Sequence, residues 1–147
     1  MRVALAILTL TAVVAVVMPP RAHAGLGDSC TLTLSTTGTL KMSMQGNTLG
    51  SQETGGGAAL MTVVAVGTRP SLTFSAPQLS GPGNSGTSVT SMAFSTLSGI
   101  NSGYTSSGAV IQLGTLLDTV TINARVVNTQ GFRSGTYQIT STVTCQQ

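Results

Sequence analysis

The chain has 147 residues, of which only 6% are charged, with 18 Gly, two Cys and no Trp. Downstream of position 24 seven charged residues remain: Asp28, Lys41, Glu53, Arg69, Asp118, Arg125 and Arg133, four bases against three acids. Binding to nucleic acid needs several Lys or Arg on one face, and so few bases exclude it. The only His, His23, lies within the first 24 residues, so the remainder lacks the commonest general base and metal ligand. Most enzyme classes are disfavoured on that count.

The first 24 residues read as a secretory signal peptide. Arg2 gives a short positive start, Val3 to Met18 is apolar apart from Thr9 and Thr11, Pro19-Pro20 ends the run, and Ala22-His23-Ala24 is a small-x-small cleavage pattern. An uncleaved membrane anchor is the alternative, but a 16-residue run is short against the ~20 that a spanning helix needs. Cleavage after Ala24 leaves one domain, 25–147, with no mature membrane span. It places the protein outside the cytoplasm: in a periplasm, at a cell surface or in the extracellular medium. In that oxidising setting Cys30 and Cys145 read as a disulfide, with two free buried thiols as the alternative. Two Cys without His do not make a metal site. Bonded cysteines have Cα atoms about 4.4–6.8 Å apart, so the first and last strands must be neighbours.

Taken along the chain, 25–147 holds 17 Ser and 22 Thr among alternating apolar residues. Cys30, Leu32 and Leu34 share one parity, with hydroxyls on the other. Thr39 to Met44 repeats the pattern and predicts Leu40, Met42 and Met44 inward and Lys41 outward. Gly46 to Gly57 is a Gly-rich loop carrying Glu53. Ala58 to Val66 is an apolar run suited to a central strand. Leu72 and Phe74 alternate in a short strand that Pro77 ends. Ser80 to Thr87 is a loop, Val89 to Phe94 a weak strand, Gly99 to Gly108 a polar loop around Tyr104, and Ala109 to Leu113 short and apolar. Val120, Ile122, Ala124 and Val126 share a parity. After a turn at Asn128–Ser134, so do Tyr137, Ile139, Ser141, Val143 and Cys145. Both cysteines fall on the apolar parity of their strands. The expected fold is all-β: an antiparallel β-sandwich of about 7–8 strands.

The chemical motifs resolve to ordinary structure. Gly81-Pro82-Gly83-Asn84-Ser85-Gly86 spells G-x-G-x-x-G, yet a strand follows where dinucleotide binding needs a helix, so no cofactor is expected. Asp28, Glu53 and Asp118 are scattered, without the aromatic platforms of a glycosidase cleft. Lys41 and Ser43 share a strand face, which reads as an edge guard and not as a catalytic dyad. The Thr140-x-Thr142-x-Thr144 row reads as a solvated strand face and not as an ice- or glycan-binding ladder. No catalytic, cofactor or metal residues are expected.

The stretch from Gly131 to Cys145, an aromatic-x-x-Gly-x-Tyr turn (Phe132, Gly135, Tyr137) leading into an alternating Thr/Val strand, resembles the closing segment of chaperone–usher pilins and spore coat U-like secreted proteins. Cys30-Thr31-Leu32 through Gly38-Thr39-Leu40 is similar to their first hairpin. The resemblance covers about a third of the mature chain. It implies an immunoglobulin-like sandwich lacking a strand and a pilus- or fimbria-like subunit. Such a subunit assembles with other copies of itself or related subunits by strand complementation, with a groove open along Tyr137, Ile139 and Val143 or their neighbours. Two departures stand out: only Gly25 to Ser29 precedes Cys30, and the disulfide ties first strand to last, not two early strands. The alternative is therefore a self-closed, monomeric binding module using the loops Gly46–Gly57, Ser80–Thr87 and Gly99–Gly108.

The expected outcome for exported protein is an intact mass short of residues 1–24 and of two hydrogens. Two alkylatable thiols in the native protein would contradict the disulfide.

Overall fold

The computed structural model describes residues 27–82 and 87–147. The expected signal peptide, its cleavage site and residues 83–86 of the Gly-rich loop lie outside the described residues. All regular structure among the described residues is strand, and every pairing is antiparallel.

One layer is a six-stranded sheet built on β9 (Leu117–Asn128), the longest strand. Its inward side chains are Val120, Ile122, Ala124 and Val126, all buried, as the alternation requires. One edge of β9 takes β4 (Ala59–Val66) along its first half, then β3 (Thr48–Gly50) along its second; the other edge takes β7 (Ser88–Thr96). Beyond β4 lies β1 (Ser29–Thr36), and beyond β3 lies β2 (Lys41–Met42).

The second layer centres on β5 (Ser71–Phe74), between β8 (Ala109–Gln112) and β11 (Val143–Gln146). It is prolonged by the pair β6 (Gln78–Ser80) and β10 (Gln138–Thr140). Phe74 pairs with Val143 and Gln78 with Thr140, so three residues on one strand oppose two on the other. Pro77 lies in the longer segment and has no N–H for the ladder, which accounts for the interruption. Ser75 spans it instead: its N–H donates to Thr142 O at 2.8 Å, its Oγ accepts from Thr142 N at 2.9 Å, and its carbonyl accepts from Ser141 Oγ at 2.8 Å.

The core lies between the layers, where the rings of Phe74 and Phe94 meet at 4.3 Å across the sandwich. Tyr137 is buried edge-on to Phe132 at 5.3 Å, and its hydroxyl donates to Arg133 O at 3.0 Å. A Cβ at Gly81 would collide with the Tyr137 ring, so that loop position accepts no side chain without displacing the ring. No buried side-chain polar atom among the described residues lacks a hydrogen-bond partner.

Cys30 and Cys145 form the disulfide, with Cα atoms 6.3 Å apart. It joins β1 of the first sheet to β11 of the second, at the corner where the layers meet. Both cysteines are half-buried and pack on the core.

Four features differ from the sequence expectation. There are eleven strands among the described residues instead of 7–8: β3 and β6 lie where alternation gives no strand, and the last ribbon is divided in two. The apolar parity from Tyr137 to Cys145 is that ribbon, divided into β10 and β11 at Ser141–Thr142. The Gly46–Gly57 segment contains β3, whose Leu49 is buried; a single apolar residue between glycines gives no periodic signal. Met42 and Met44 do not point into the core: Met42 sits on the edge strand and Met44 is fully exposed in the turn to β3. That turn closes with Gly46 N–H on Ser43 O at 3.0 Å, and Gly46 takes the left-handed backbone (φ 73°) that favours glycine.

The disulfide closes a loop with a sequence separation of 115. Cys145→Ala is expected to cost about 2–5 kcal/mol, the usual penalty for a small secreted domain, read as a lowered denaturant midpoint. An unchanged midpoint would show that the sandwich closes without the cross-link.

Candidate functional site

Two regions offer themselves: an open strand edge at β1, and a polar cluster where two loops meet on the outer face of the first sheet.

Sheet edges are templates for further pairing, and this fold treats them unequally. The outer edge of β7 is covered from Met92 to Thr96 by the Gly99–Gly108 segment. Met92 and Thr105 exchange both N–H···O bonds (2.9 and 2.8 Å), Phe94 O accepts from Ser102 N at 2.8 Å, and Thr96 N donates to Ile100 O at 2.9 Å. On the side of β3 the sheet ends in the two-residue β2, which carries Lys41, the arrangement expected of an edge guard. By contrast β1 is eight residues long, without charge or proline, and among the described residues its ladder is made with β4 alone. Leu32 and Leu34 point inward from β1 yet are only half-buried, because the edge is not fully covered by the opposite layer.

The groove expected along Tyr137, Ile139 and Val143 is not open. All three are buried in the core, at 1%, 0% and 4% exposure. Tyr137 packs on Phe132, and Val143 belongs to the ladder with β5. The partly exposed apolar seam lies instead on their neighbour β1.

The outer face of the first sheet is Thr- and Ser-rich, with Thr33, Thr62 and Thr119 in register across β1, β4 and β9 and Thr31 and Thr121 beside them. The apolar run of β4 is buried on one side only: Val64 and Val66 face outward at 44% and 59% exposure. The continuous run therefore marks a strand with an apolar outer end, next to the exposed Leu117 that pairs with Val64.

Two of the three loops proposed for a binding module converge on this face. The Tyr104 hydroxyl donates to Gln52 Oε1 at 3.0 Å, joining the loop after β3 to the segment after β7. The Arg125 guanidinium, from β9, lies 4.1 Å over the Tyr104 ring, and its Nε donates to Ser91 Oγ at 3.3 Å. Burial raises the Tyr104 phenol above its ordinary value; Arg125 offsets part of this and Glu53 adds to it. The third loop enters β7 three residues beyond Arg125, at the C-terminal end of β9, where Thr87 Oγ1 and Ser88 Oγ meet the buried Asn128 side chain at 3.3 and 3.2 Å. Nothing in the sequence links Tyr104, Gln52 and Arg125, which are far apart along the chain and polar in unremarkable surroundings.

The carboxylates have three different settings. Asp28 accepts from Thr68 Oγ1 at 3.1 Å beside the start of β1. Glu53 lies in the loop after β3. Asp118 is buried, accepting from Ser98 Oγ and from Thr119 N–H at 2.8 Å, and so fixes the turn after β7. Among the described residues no three His, Cys, Asp or Glu side chains group as metal ligands would. The segment after the Gly-rich loop is strand β7 and not a helix. Ser43 is engaged locally, its Oγ donating to Asn47 Oδ1 at 3.3 Å and accepting from Thr48 N at 3.3 Å.

Tyr104 supplies a pH prediction. A phenol whose folded value is raised contributes stability that is full below the unfolded value of about 10 and is lost as pH rises through the folded value. In a Tyr137→Phe background, absorbance titration should show Tyr104 ionising above a free phenol. Arg125→Gln should move it further upward, because the cation that favours phenolate is gone. A downward movement would show that Arg125 does not act on Tyr104 as the geometry implies.

Comparison of the chain with family models, with curated proteins and with solved structures gives no match in any of the three.

Proposed function

We propose that this chain is an exported structural, surface-assembly protein, whose copies or related subunits join by adding a strand at the β1 edge. The observation that carries this reading is the contrast between the edges of the first sheet: β7 is covered from Met92 to Thr96, β2 is short and carries Lys41, and β1 is long, uncharged and half-open at Leu32 and Leu34. An extended segment placed there gains main-chain hydrogen bonds and covers the two leucines, the two components of strand addition. The Cys30–Cys145 disulfide supports export, since such bonds persist in oxidising compartments. No helix among the described residues is long and apolar enough to cross a membrane. With one net positive charge downstream of position 24, little electrostatic repulsion opposes the approach of copies.

The resemblance to chaperone–usher pilins and spore coat U-like proteins agrees with this role, with the receiving site moved from Tyr137, Ile139 and Val143 to β1. The second reading, a monomeric extracellular binding module, is favoured by one observation, the junction of two loops through Tyr104 and Gln52. Neither reading assigns catalysis or a cofactor.

Thr33→Pro tests the assembly reading at an exposed β1 position. Proline removes an N–H and narrows the backbone, so it blocks strand addition if that N–H faces outward; Leu34→Pro probes the opposite set of N–H groups. Sedimentation of the exported protein should show concentration-dependent oligomers that one of the two variants abolishes while its monomer stays folded. Thr33→Lys, which leaves the backbone intact, should weaken them as well. A strict monomer at high concentration for the unmodified chain would remove this reading and promote the binding module.

A further inference from the structure

Three of the seven charged residues downstream of position 24 share one small area of an otherwise neutral face. Lys41 lies opposite Gly50 across β2 and β3, Gly50 opposite Arg125 across β3 and β9, and Arg125 opposite Ser91 on β7. Two bases thus flank a strand position that has no side chain. Paired strands are about 4.8 Å apart, which sets the two backbone positions about 10 Å from each other. A Cβ at Gly50 would stand 3.8 Å from Cβ of Arg125 and only 3.2 Å from Cγ of Glu53. The Glu53 side chain therefore lies over the gap, with Oε1 at 3.6 Å from the same point, while no ion pair joins it to either base among the described residues.

Arg125 is held in position before any ligand arrives. Stacking on Tyr104 at 4.1 Å and the Nε bond to Ser91 fix the plane of the guanidinium, and its two Nη groups have no partner among the described residues. A planar guanidinium with free N–H groups matches the two oxygens of a carboxylate, and a lysine on the far side adds a mobile point charge. Ser91 is buried and committed to Arg125, but around them stand a hydroxyl and two amides, those of Thr48, Asn123 and Gln52. These are partners for the hydroxyls of a sugar.

We propose that the Lys41–Gly50–Arg125 cradle binds the carboxylate of an acidic saccharide, displacing the carboxylate of Glu53 that now lies over it. This goes beyond strand addition and does not depend on it, because the cradle sits on β2, β3, β9 and β7, away from β1. In this arrangement Glu53 is a built-in competitor. Its removal should strengthen binding, an effect that a merely structural glutamate would not give.

The test uses a trimer of galacturonic acid, its neutral galactose counterpart and a tetraglutamate peptide, each titrated by calorimetry into the exported chain at low salt. The acidic trisaccharide should bind in preference to both others, and its affinity should fall as salt is added. Arg125→Gln should weaken it at least tenfold, Lys41→Gln severalfold, and Glu53→Gln should tighten it severalfold. Arg125→Lys keeps the charge but loses the planar fork, and should give an intermediate loss; it also serves if Arg125→Gln does not fold. Near-ultraviolet circular dichroism, which reports the two tyrosines, checks that each variant is native. The proposal is overturned by no binding at millimolar concentration, by equal affinity for the neutral trisaccharide or the peptide, or by affinity that neither Arg125→Gln nor Glu53→Gln changes.

Discussion

The fold depends on one covalent constraint, the cross-link between the strand that opens the described chain and the strand that closes it. Among the described residues β1 has a single ladder, with β4, and β11 has a single ladder, with β5. Each is the outer strand of its own layer, so without the disulfide the corner between the layers would rest on side-chain packing and the hydrogen bonds of Gln147. Cys30 and Cys145 tie that corner, and Gln147 reinforces it by donating to Val66 O and Thr68 O at 3.1 and 2.7 Å. With the corner fixed, Leu32 and Leu34 are held toward the core even though the opposite layer does not fully cover them. The same bond that ties the two layers thus holds the half-open edge in place.

A protein with so few charges has little means of keeping its copies apart, and the management of edges becomes its main control over association. Covering β7 from Met92 to Thr96 and reducing β2 to two residues leave β1 as the longest open edge of the first sheet. Hydroxyl-rich rows on the outer face give that surface water-compatible groups without charge. The cluster around Arg125 is the exception on this face, which is why its three charges and its stacked tyrosine invite a separate ligand.

Where the structure is dictated by period-two alternation, the sequence is a good guide. The buried parity of β9, Leu32 and Leu34 beside Cys30, and the apolar parity that includes Cys145 all follow from side chains pointing alternately to the two faces. Where strands are short or interrupted it misleads. Leu49 alone cannot show a period, the Pro77 interruption leaves the parity of Tyr137 to Cys145 intact, and Met44 keeps an alternation that the Gly46 turn has already ended. The apolar run of β4 does take a central place, between β1 and β9, although Val64 and Val66 at its end face outward. Long-range polar geometry is least legible: Tyr104, Gln52, Glu53 and Arg125 come together only because β3 and β7 both pair with β9.

The most direct test of the account is amide hydrogen exchange of residues 29–36 in the disulfide-bonded protein, measured for the monomer and for its oligomers. In the monomer the β1 amides facing β4 should be protected and the alternate ones should exchange rapidly. Assembly should slow that second set while the rest of the pattern stays unchanged. Uniform protection of β1 in the monomer, or rapid exchange that survives assembly, would contradict the claim that this edge is where partners join.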